Sequence, residues 1–537
     1  MKKLKPAAYA LLPLAVAMAQ PAAAQDTKEL KVGVASEATS IDPHFHNVGQ
    51  NNALRRHIFE SLIATDANQK LLPALAESWK AVDDTTWEIK LRPDVKFSNG
   101  EAFTARDYVY TMCRVPLVEN SPSSFTVFTR GIESIETPDP LTIRVKTATP
   151  QPLFPNNMTT LGILSAAVFG AGDVKYGKDG CENMGTPPKS SDFNDPAKAV
   201  GTGPFKLKEY TRGTHIILEA NEGYWGEKPV WQRVVMRPIT SAGPRVAALL
   251  AGDVDMIENP PIQDFDKIKG AGFTLVEGLS NRIIYIHLDQ FEDKTPGVKG
   301  TDKNPFKDVR VREALSKAIN REAIVERIMG GVAQAAGELL PYPLFGTTKD
   351  AKPVAYDPEA SKKLLAEAGY PNGFELTIGT PNDRYINDEK VAQAVAQMFT
   401  RVGIKTNIDA MTASTFFSRR NKHEFSAYLA GWGADSGEMS NSLNALVVTP
   451  NKDTGGGHTN RGRYSNAEVD ALVMEAQRTI DDAKREELLQ KASKIAMDDY
   501  ALLPLHFEVT PWAFKKTLSY TPRVDQYTLV TEVKPAQ

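Results

Sequence analysis

The stretch DEKVAQAVAQMFTRVGIKTNI, residues 388–408, indicates the class of fold. Apolar residues recur along its first part at intervals of three and four, as they do on one face of a helix. These residues are Val391, Val395, Met398 and Val402. Gly403 is typical of the end of a helix, and IKTNI (404–408) then alternates apolar and polar residues as a half-buried strand does. A helix that leads directly into a strand is the repeating unit of an α/β protein.

The same kind of unit returns elsewhere in the chain. Five further segments are predicted to be strands: residues 29–35, 85–92, 141–147, 215–220 and 283–289. Another helix is predicted to begin at Pro358, with Asp357 as its cap and Gly369 after its end. Alternating helices and strands favour α/β lobes over a barrel or a sandwich. Because 537 residues are too many for one hydrophobic core, two or three domains are expected.

The N-terminus has the layout of a secretory signal peptide. Lysines open the chain, an apolar stretch covers residues 7–19, and three alanines precede a predicted cleavage after Ala24. The apolar stretch is shorter than the roughly 20 residues that span a bilayer, which argues against a membrane anchor. No cysteine lies near the cleavage site to accept a lipid. We therefore expect residues 1–24 to be removed and the mature chain to be exported without an anchor.

The charge and the cysteines narrow the class of protein further. The chain has a net charge of −3 at pH 7, so it lacks the excess of basic residues that is typical of nucleic-acid-binding proteins. Cys113 and Cys181 are the only two cysteines, too few for a scaffold built on disulfides. In an oxidising compartment they are candidates for one disulfide, and the alternative is a pair of buried free thiols.

Catalytic motifs are missing from the sequence. It contains no HExxH zinc motif, no GxSxG nucleophile elbow and no GxxxxGK[ST] phosphate loop. His44 and His46 form an HxH pair after Asp42 and are candidate metal ligands, with a polar surface loop as the alternative. GGGH (455–458) is interpreted as a flexible loop. If the protein were an enzyme, these motifs would therefore not explain its mechanism.

One stretch, GWGADSGE (431–438), combines features of a binding site. Its glycines allow another chain to approach the backbone, and Trp432 offers an aromatic surface for a ligand. Asp435 could pair with a cationic group such as an α-ammonium. The alternative is a tight turn in which Trp432 belongs to the core and Asp435 caps the following helix.

Two other polar segments are candidates for the same site. Arg384, in TPNDRY (380–385), could bind a ligand carboxylate through its planar guanidinium, or it could be a solvated residue near a helix start. SEATSIDPH (36–44) follows a predicted strand, where its hydroxyl groups could line a cleft or simply form a polar turn.

Several longer stretches of the sequence resemble those of a known protein family. In chain order they are LLPALAESWKAVDDTTWEIKLRPDVKFSNGEAFTARD (71–107), GTGPFKL (201–207), GYWGEKP (223–229), VRVREALSKAINREAIVERIMGG (309–331) and YDPEASKKLLAEAGYPNGF (356–374). They resemble the extracellular solute-binding proteins of family 5, the oligopeptide- and dipeptide-binding proteins of ABC transporters. The stretches span nearly the whole mature chain, but they are architectural and do not identify a ligand.

The resemblance implies a two-lobed periplasmic-binding-protein fold of the cluster C type, with an inserted subdomain and a two-strand hinge. Lobe I would combine residues 25–60, 198–280 and 508–537, and residues 61–197 would form its inserted subdomain. Lobe II would cover residues 281–507. Strands near residues 283–288 and 503–507 would form the hinge, and the lobes would close over a ligand.

The resemblance also implies roles for particular residues. GWGAD resembles the site of oligopeptide-binding members, in which Asp435 would hold the ligand's ammonium group beside Trp432, Gly433 and Ala434. Arg384 and Tyr385 resemble a carboxylate-binding position of dipeptide-binding members. Thr39 and Ser40 would contribute from lobe I. After the aspartate, SGEMS departs from many dipeptide binders, and its Gly-Glu pair is similar to glutathione-binding relatives.

The function implied is capture of peptides or peptide-like amines in the periplasm and delivery to an ABC permease in the inner membrane. We expect no catalytic turnover, no cofactor and no binding of nucleic acid. The resemblance also implies a monomer, which is the usual state of the family. Glutathione, an opine-like conjugate and a nickel-chelator or haem cargo are the alternative ligands within the same fold.

Overall fold

A computed structural model of the chain describes residues 28–536, so the predicted signal peptide lies outside the described residues. The strands are β1 Glu29–Val34, β2 Ile63–Thr65, β3 Leu71–Pro73, β4 Ala76–Asp83, β5 Thr86–Leu91, β6 Ile132–Asp139, β7 Thr142–Thr147, β8 Phe205–Thr211, β9 His215–Ala220, β10 Arg233–Pro238, β11 Met256–Glu258, β12 Phe273–Leu288, β13 Ala333–Ala335, β14 Glu375–Pro381, β15 Lys405–Met411, β16 Ala427–Gly433, β17 Leu503–Lys515, β18 Leu518–Ser519 and β19 Lys534–Pro535. The α-helices are α1 Gly49–Ile58, α2 Ala105–Arg114, α3 Phe154–Asn157, α4 Ala242–Ala251, α5 Phe265–Gly270, α6 Val309–Ala318, α7 Arg321–Ala323, α8 Pro358–Glu367, α9 Asp388–Arg401, α10 Ala413–Asn421, α11 Met439–Leu446, α12 Ala467–Ala476 and α13 Asp482–Asp498.

The predicted helices and strands form where the sequence pattern places them. Asp357 accepts a hydrogen bond from the Ala360 amide at the start of α8 (2.9 Å). Gly403 follows α9 with a φ of +103°, a left-handed conformation that glycine adopts without strain. β1, β5, β7 and β9 cover the predicted strands in the first half of the chain. The predicted α/β class is confirmed.

A large mixed sheet runs through both lobes in the order β15-β14-β16-β12-β17-β11-β1-β10-β9-β8, with β13 paired to β17. The long strands β12 and β17 belong to both halves of this sheet. Their antiparallel pairing shifts register between Leu279 and Ile283, so the ladder is interrupted where one half meets the other. Two strands therefore cross between the lobes, as the two-lobed fold requires.

Separate hydrophobic cores support the two lobes. In the first lobe, Leu30, Val234 and Trp512 share a core that also includes α2 residues. In the second lobe, the faces of the sheet carry two clusters, one around Ile284 and the other around Tyr428. No helix between residues 28 and 536 is both long and apolar enough to cross a membrane.

A smaller antiparallel sheet, in the order β4-β5-β7-β6, has its own core around Trp87, Ile89 and Val145. Cys113, on α2, and Cys181 form a disulfide with their Cα atoms 5.9 Å apart. This bond ties the irregular segment around residue 181 to α2.

Candidate ligand-binding site

The GWGADSGE stretch is the end of a strand and the turn after it. β16 continues through Gly433, where it pairs antiparallel with Arg282 of β12. The Gly437 amide then donates to the Ala434 carbonyl oxygen (2.8 Å), which closes a turn with Asp435 and Ser436 at its tip. The cap of the following helix, α11, is Glu438. Asp435 therefore does not have the helix-capping position that was its alternative role.

A cavity of about 780 Å³ lies in front of this turn. The volume is within the range of small-molecule sites, which run from about 300 to 1,000 Å³. The cavity is lined by both lobes: Trp432, Asp435, Ser436, Asn441 and His458 on one side, and Asn52, Arg55, Arg56, Gln69, Asn156, Asp525 and Tyr527 on the other. We call this cavity the cleft.

The Asp435 carboxylate faces the cleft without a partner. Within residues 28–536 it accepts no hydrogen bond from a side chain and forms no ion pair. The side chain is accessible to water, yet protein surrounds the cleft closely enough that desolvation raises the pKa of Asp435. Arg282 opposes this rise and Asp525 adds to it. Such a carboxylate can gain strongly from a cationic group that enters the cleft.

Trp432 forms an aromatic surface next to Asp435. Its indole Nε1 donates to Asn441 Oδ1 (2.8 Å), which fixes the ring, and His458 meets the ring edge-on with the centroids 5.8 Å apart. Desolvation lowers the pKa of His458, so its imidazole is neutral near pH 7. The GGGH loop, interpreted from the sequence as flexible, thus contributes a histidine to the cleft.

Three side-chain amides hold the turn from outside it. Asn281 Nδ2 donates to the Ala434 carbonyl oxygen (3.0 Å), Gln69 Nε2 to that of Asp435 (2.9 Å), and Asn156 Nδ2 to that of Ser436 (3.0 Å). Asn281 Nδ2 also donates to Gln69 Oε1 (2.9 Å). We call these three residues the amide clamp. Gln69 and Asn156 come from the part of the chain before β12, so the clamp joins the two sides of the cleft.

The opposite wall of the cleft is cationic. Arg55 and Arg56 lie on α1, and Arg56 is 3.5 Å from an Asp525 oxygen while its guanidinium stacks over the Tyr527 ring at 5.0 Å. Asp525 is also bound by Arg523 (2.7 Å). Burial raises the pKa of Tyr527 to about 12, with Asp435 contributing to the rise.

The structure places Arg384 and Tyr385 away from these groups. Tyr385 is buried beside Gly431, where a β-carbon would approach its ring to 2.8 Å, and its hydroxyl donates to the Gly431 carbonyl oxygen (3.2 Å). Arg384 is exposed and stacks over the Tyr385 ring at 5.1 Å. Neither residue is among those that line the cleft.

Thr39 and Ser40 line a different recess, of about 540 Å³, together with His46. Thr39 Oγ1 is 3.0 Å from His46 Nδ1. His44 points elsewhere: it is fully buried, with Nε2 2.8 Å from the Gly162 carbonyl oxygen, and burial lowers its pKa to about 3. The HxH pair therefore does not converge, and the described part of the chain contains no group of three or more potential metal-ligating side chains.

Sequence reasoning missed the cationic wall and the clamp. Arg55 and Arg56 lie in the polar stretch of α1, and no sequence motif distinguishes them from solvated arginines. Asp525 and Tyr527 lie almost a hundred residues beyond Asp435 in a segment with no motif, so only the fold brings them to the cleft.

Comparison with known proteins identifies the family. A profile described as bacterial extracellular solute-binding proteins, family 5 middle, matches residues 70–454. The chain belongs to this family.

Curated relatives and a solved structure agree with this assignment. The family 5 chain is 28% identical to the glutathione-binding protein GsiB of Escherichia coli O1:K1 over 502 residues, 92% of this chain and 91% of that one. It is 29% identical to heme-binding protein A of Haemophilus influenzae over 487 residues, 85% and 83% of the two chains. The periplasmic binding protein DppA from Helicobacter pylori, solved with the peptide STSA, superposes with a TM-score of 0.70 at 24% identity, over 95% of this chain and 98% of that one. The predicted two-lobed fold is confirmed.

Proposed function

We propose that this family 5 protein is the periplasmic binding component of an ABC import system for peptides or peptide-like amines. An amine is proposed as the ligand because the Asp435 carboxylate faces the cleft with no cationic partner among the described residues. An α-ammonium group would supply the missing charge. Trp432 would pack against the apolar part of the same solute.

Capture would occur by closure of the lobes. In this proposal lobe I moves as residues 25–60, 198–280 and 508–537 together with the inserted subdomain, residues 61–197, and residues 281–507 move as lobe II. The motion is centred on the interrupted pairing of β12 and β17. A solute that contacts both walls stabilises the closed state, which the permease then recognises. No turnover is part of this mechanism.

Export belongs to the same proposal. Residues 1–24 would direct the chain out of the cytoplasm and be removed, and the mature protein would act as a monomer without a cofactor. Glutathione is a favoured member of the ligand class, because it carries a free α-ammonium and because a relative is a glutathione-binding protein.

Native mass spectrometry of the exported protein as purified tests this function. Species released on denaturation should be peptides or other amines, and their lengths would show what the cleft accepts. Release of a single solute without an amine would contradict the ligand class. Accumulation of cleavage products from an added peptide mixture would contradict the proposal that the protein is a binder without turnover.

Haem is the second candidate cargo, favoured by His458. This histidine lines the cleft beside Trp432 and is held neutral, the form that coordinates iron. Titration with hemin tests it: a haem carrier would give a shifted Soret band that is lost in His458→Ala. An unshifted spectrum would remove this candidate and leave the amine proposal intact.

A further inference from the structure

Arg55 is a buried cation without an anionic partner. Its side chain lies on α1, is 3% exposed and lines the cleft. The guanidinium makes two hydrogen bonds, from Nη1 to Ser61 Oγ (2.7 Å) and from Nη2 to the Thr159 carbonyl oxygen (3.2 Å). Its Nε has no partner within residues 28–536, and Arg55 forms no ion pair with any residue there.

The other buried arginines have either a carboxylate counter-ion or acceptors for all three guanidinium nitrogens. Arg114 pairs with Asp42, and Arg523 pairs with Asp525 and Glu532. Arg245 has no carboxylate partner but donates from all three nitrogens to main-chain carbonyl oxygens, at distances from 2.6 to 3.2 Å. Arg55 has neither a counter-ion nor a full set of acceptors. A guanidinium with unused N–H groups at a cavity wall is costly to keep unless a ligand supplies the anion.

The surroundings of Arg55 leave its charge uncompensated. Arg56 is next to it and adds repulsion, and burial together with this neighbour lowers the pKa of Arg55 to about 9. Asp525 is the carboxylate on this wall, but it is already bound by Arg523 and Arg56. The cleft thus has an excess positive charge on one wall and the unpaired Asp435 on the other.

A purely structural role does not explain Arg55. Ser61 Oγ donates to the Thr159 carbonyl oxygen (3.0 Å), so the two partners of Arg55 also bond to each other. Removing the guanidinium would leave both groups bonded. The arginine is therefore dispensable for their hydrogen bonding, unlike Arg245, whose loss would leave several carbonyl oxygens unpaired.

We propose that Arg55 forms an anion subsite that binds a carboxylate of the same solute whose ammonium group pairs with Asp435. This inference rests on the proposed function and narrows it to zwitterionic solutes. The planar guanidinium fork matches a carboxylate and can bind it through two parallel hydrogen bonds. The subsite is separate from Arg384, which the sequence suggested for this role.

Calorimetric titration tests the subsite with alanine peptides of two to four residues, each with a free and with an amidated C-terminus. For wild type, amidation of the best-bound peptide should weaken binding at least about 30-fold, because the buried cation is then left unpaired. In Arg55→Met, the free-acid peptide should bind as weakly as the amide. Arg245→Met is the matched control and should keep the wild-type preference for the free acid.

Thermal unfolding of the ligand-free variants separates binding from structure. Arg55→Met should unfold at the wild-type temperature or above it, since an unpaired buried charge is removed, whereas Arg245→Met should unfold at a lower temperature. If wild type bound the free-acid and the amidated peptide equally well, this result alone would overturn the subsite. So would an amidation penalty that persists in Arg55→Met, which would assign the carboxylate to another residue.

A last measurement distinguishes failure of the subsite from failure of the proposed function. Millimolar acetate, compared with chloride at the same ionic strength, should raise the unfolding temperature of wild type and leave that of Arg55→Met unchanged. If no peptide binds but acetate shows this difference, the anion subsite stands and the peptide function is wrong. If peptides bind without dependence on Arg55, the function stands and the subsite is wrong.

Discussion

Two turns at the same edge of the sheet differ in whether they contribute a charged side chain to the cleft. β14 and β16 are parallel neighbours, so the turns after them, one with Arg384 and the other with Asp435, begin close together. Asp435 lies in the cleft, while Arg384 lies over Tyr385, which packs against Gly431 on the other side of β16 from Trp432. Two turns that are close at a sheet edge therefore need not belong to one site. The face of the sheet on which the chain leaves each strand determines whether its charged side chain reaches the cleft.

Removal of the Asp435 charge should have the largest effect on solute binding. Asp435→Asn should weaken binding of an amine-bearing solute by about 2 kcal/mol or more, because the buried ammonium would lose its partner. Calorimetry on ligand-stripped protein measures this. Ser436→Ala is the control, since the clamp holds the Ser436 carbonyl oxygen and not its side chain. Wild-type affinity in Asp435→Asn would refute the assignment.

Acidification should reproduce this loss gradually. The pKa of Asp435 is raised above its usual 3.8, so the carboxylate becomes protonated at a higher pH than an ordinary aspartate does. Affinity for an amine should be constant above the raised pKa and fall tenfold, about 1.4 kcal/mol, for each pH unit below it. Titrations from neutral to acidic pH should show this slope in wild type and none in Asp435→Asn. A slope retained in the variant would point to another titrating group.

Loss of the amide clamp should have a smaller effect. Gln69→Met and Asn156→Ala each remove one hydrogen bond between the two sides of the cleft, and each should weaken solute binding by about 1 kcal/mol. Small-angle scattering should also show a larger radius of gyration for the ligand-free variants. Asn157→Ala is the matched control, because Asn157 lines the same cleft but its side chain makes no hydrogen bond to the described part of the chain. Equal effects of Asn156→Ala and Asn157→Ala would argue against a clamp.

Substitution of Arg384 should change least. Arg384→Gln should alter affinity by less than about 0.5 kcal/mol, because the residue is exposed and outside the cleft. Calorimetry with a free-acid peptide checks this result. A tenfold loss of affinity would restore the carboxylate-binding role that the sequence predicted and would bring the two turns back into one site.

The sequence predicted the parts of the fold that local rules determine. The caps of α8 and the apolar face of α9 depend on neighbouring residues, so period and glycine placement are sufficient. The sequence also predicted that Trp432 and Asp435, which line the cleft, are site candidates, because a strand end with glycines, an indole and a carboxylate is itself unusual.

The rest depends on contacts between distant segments. Arg55 is buried by residues about a hundred positions away, at Thr159 and Gly162. The clamp joins residues more than two hundred positions apart, such as Gln69 and Asp435. No local pattern marks a residue whose partner is a main-chain oxygen in a distant segment of the chain, so the sequence could not predict these features.

The clamp has a consequence for how ligand preference can evolve. Its donors bind carbonyl oxygens, which every amino acid supplies, so residues 435 and 436 can change identity without loss of these hydrogen bonds. Gly437 is the exception, because its φ is +66° and a β-carbon there would come within 2.9 Å of Gln69. Under the proposed function, a single substitution at position 435 would therefore change the solute class without disturbing the hydrogen bonds that hold the turn.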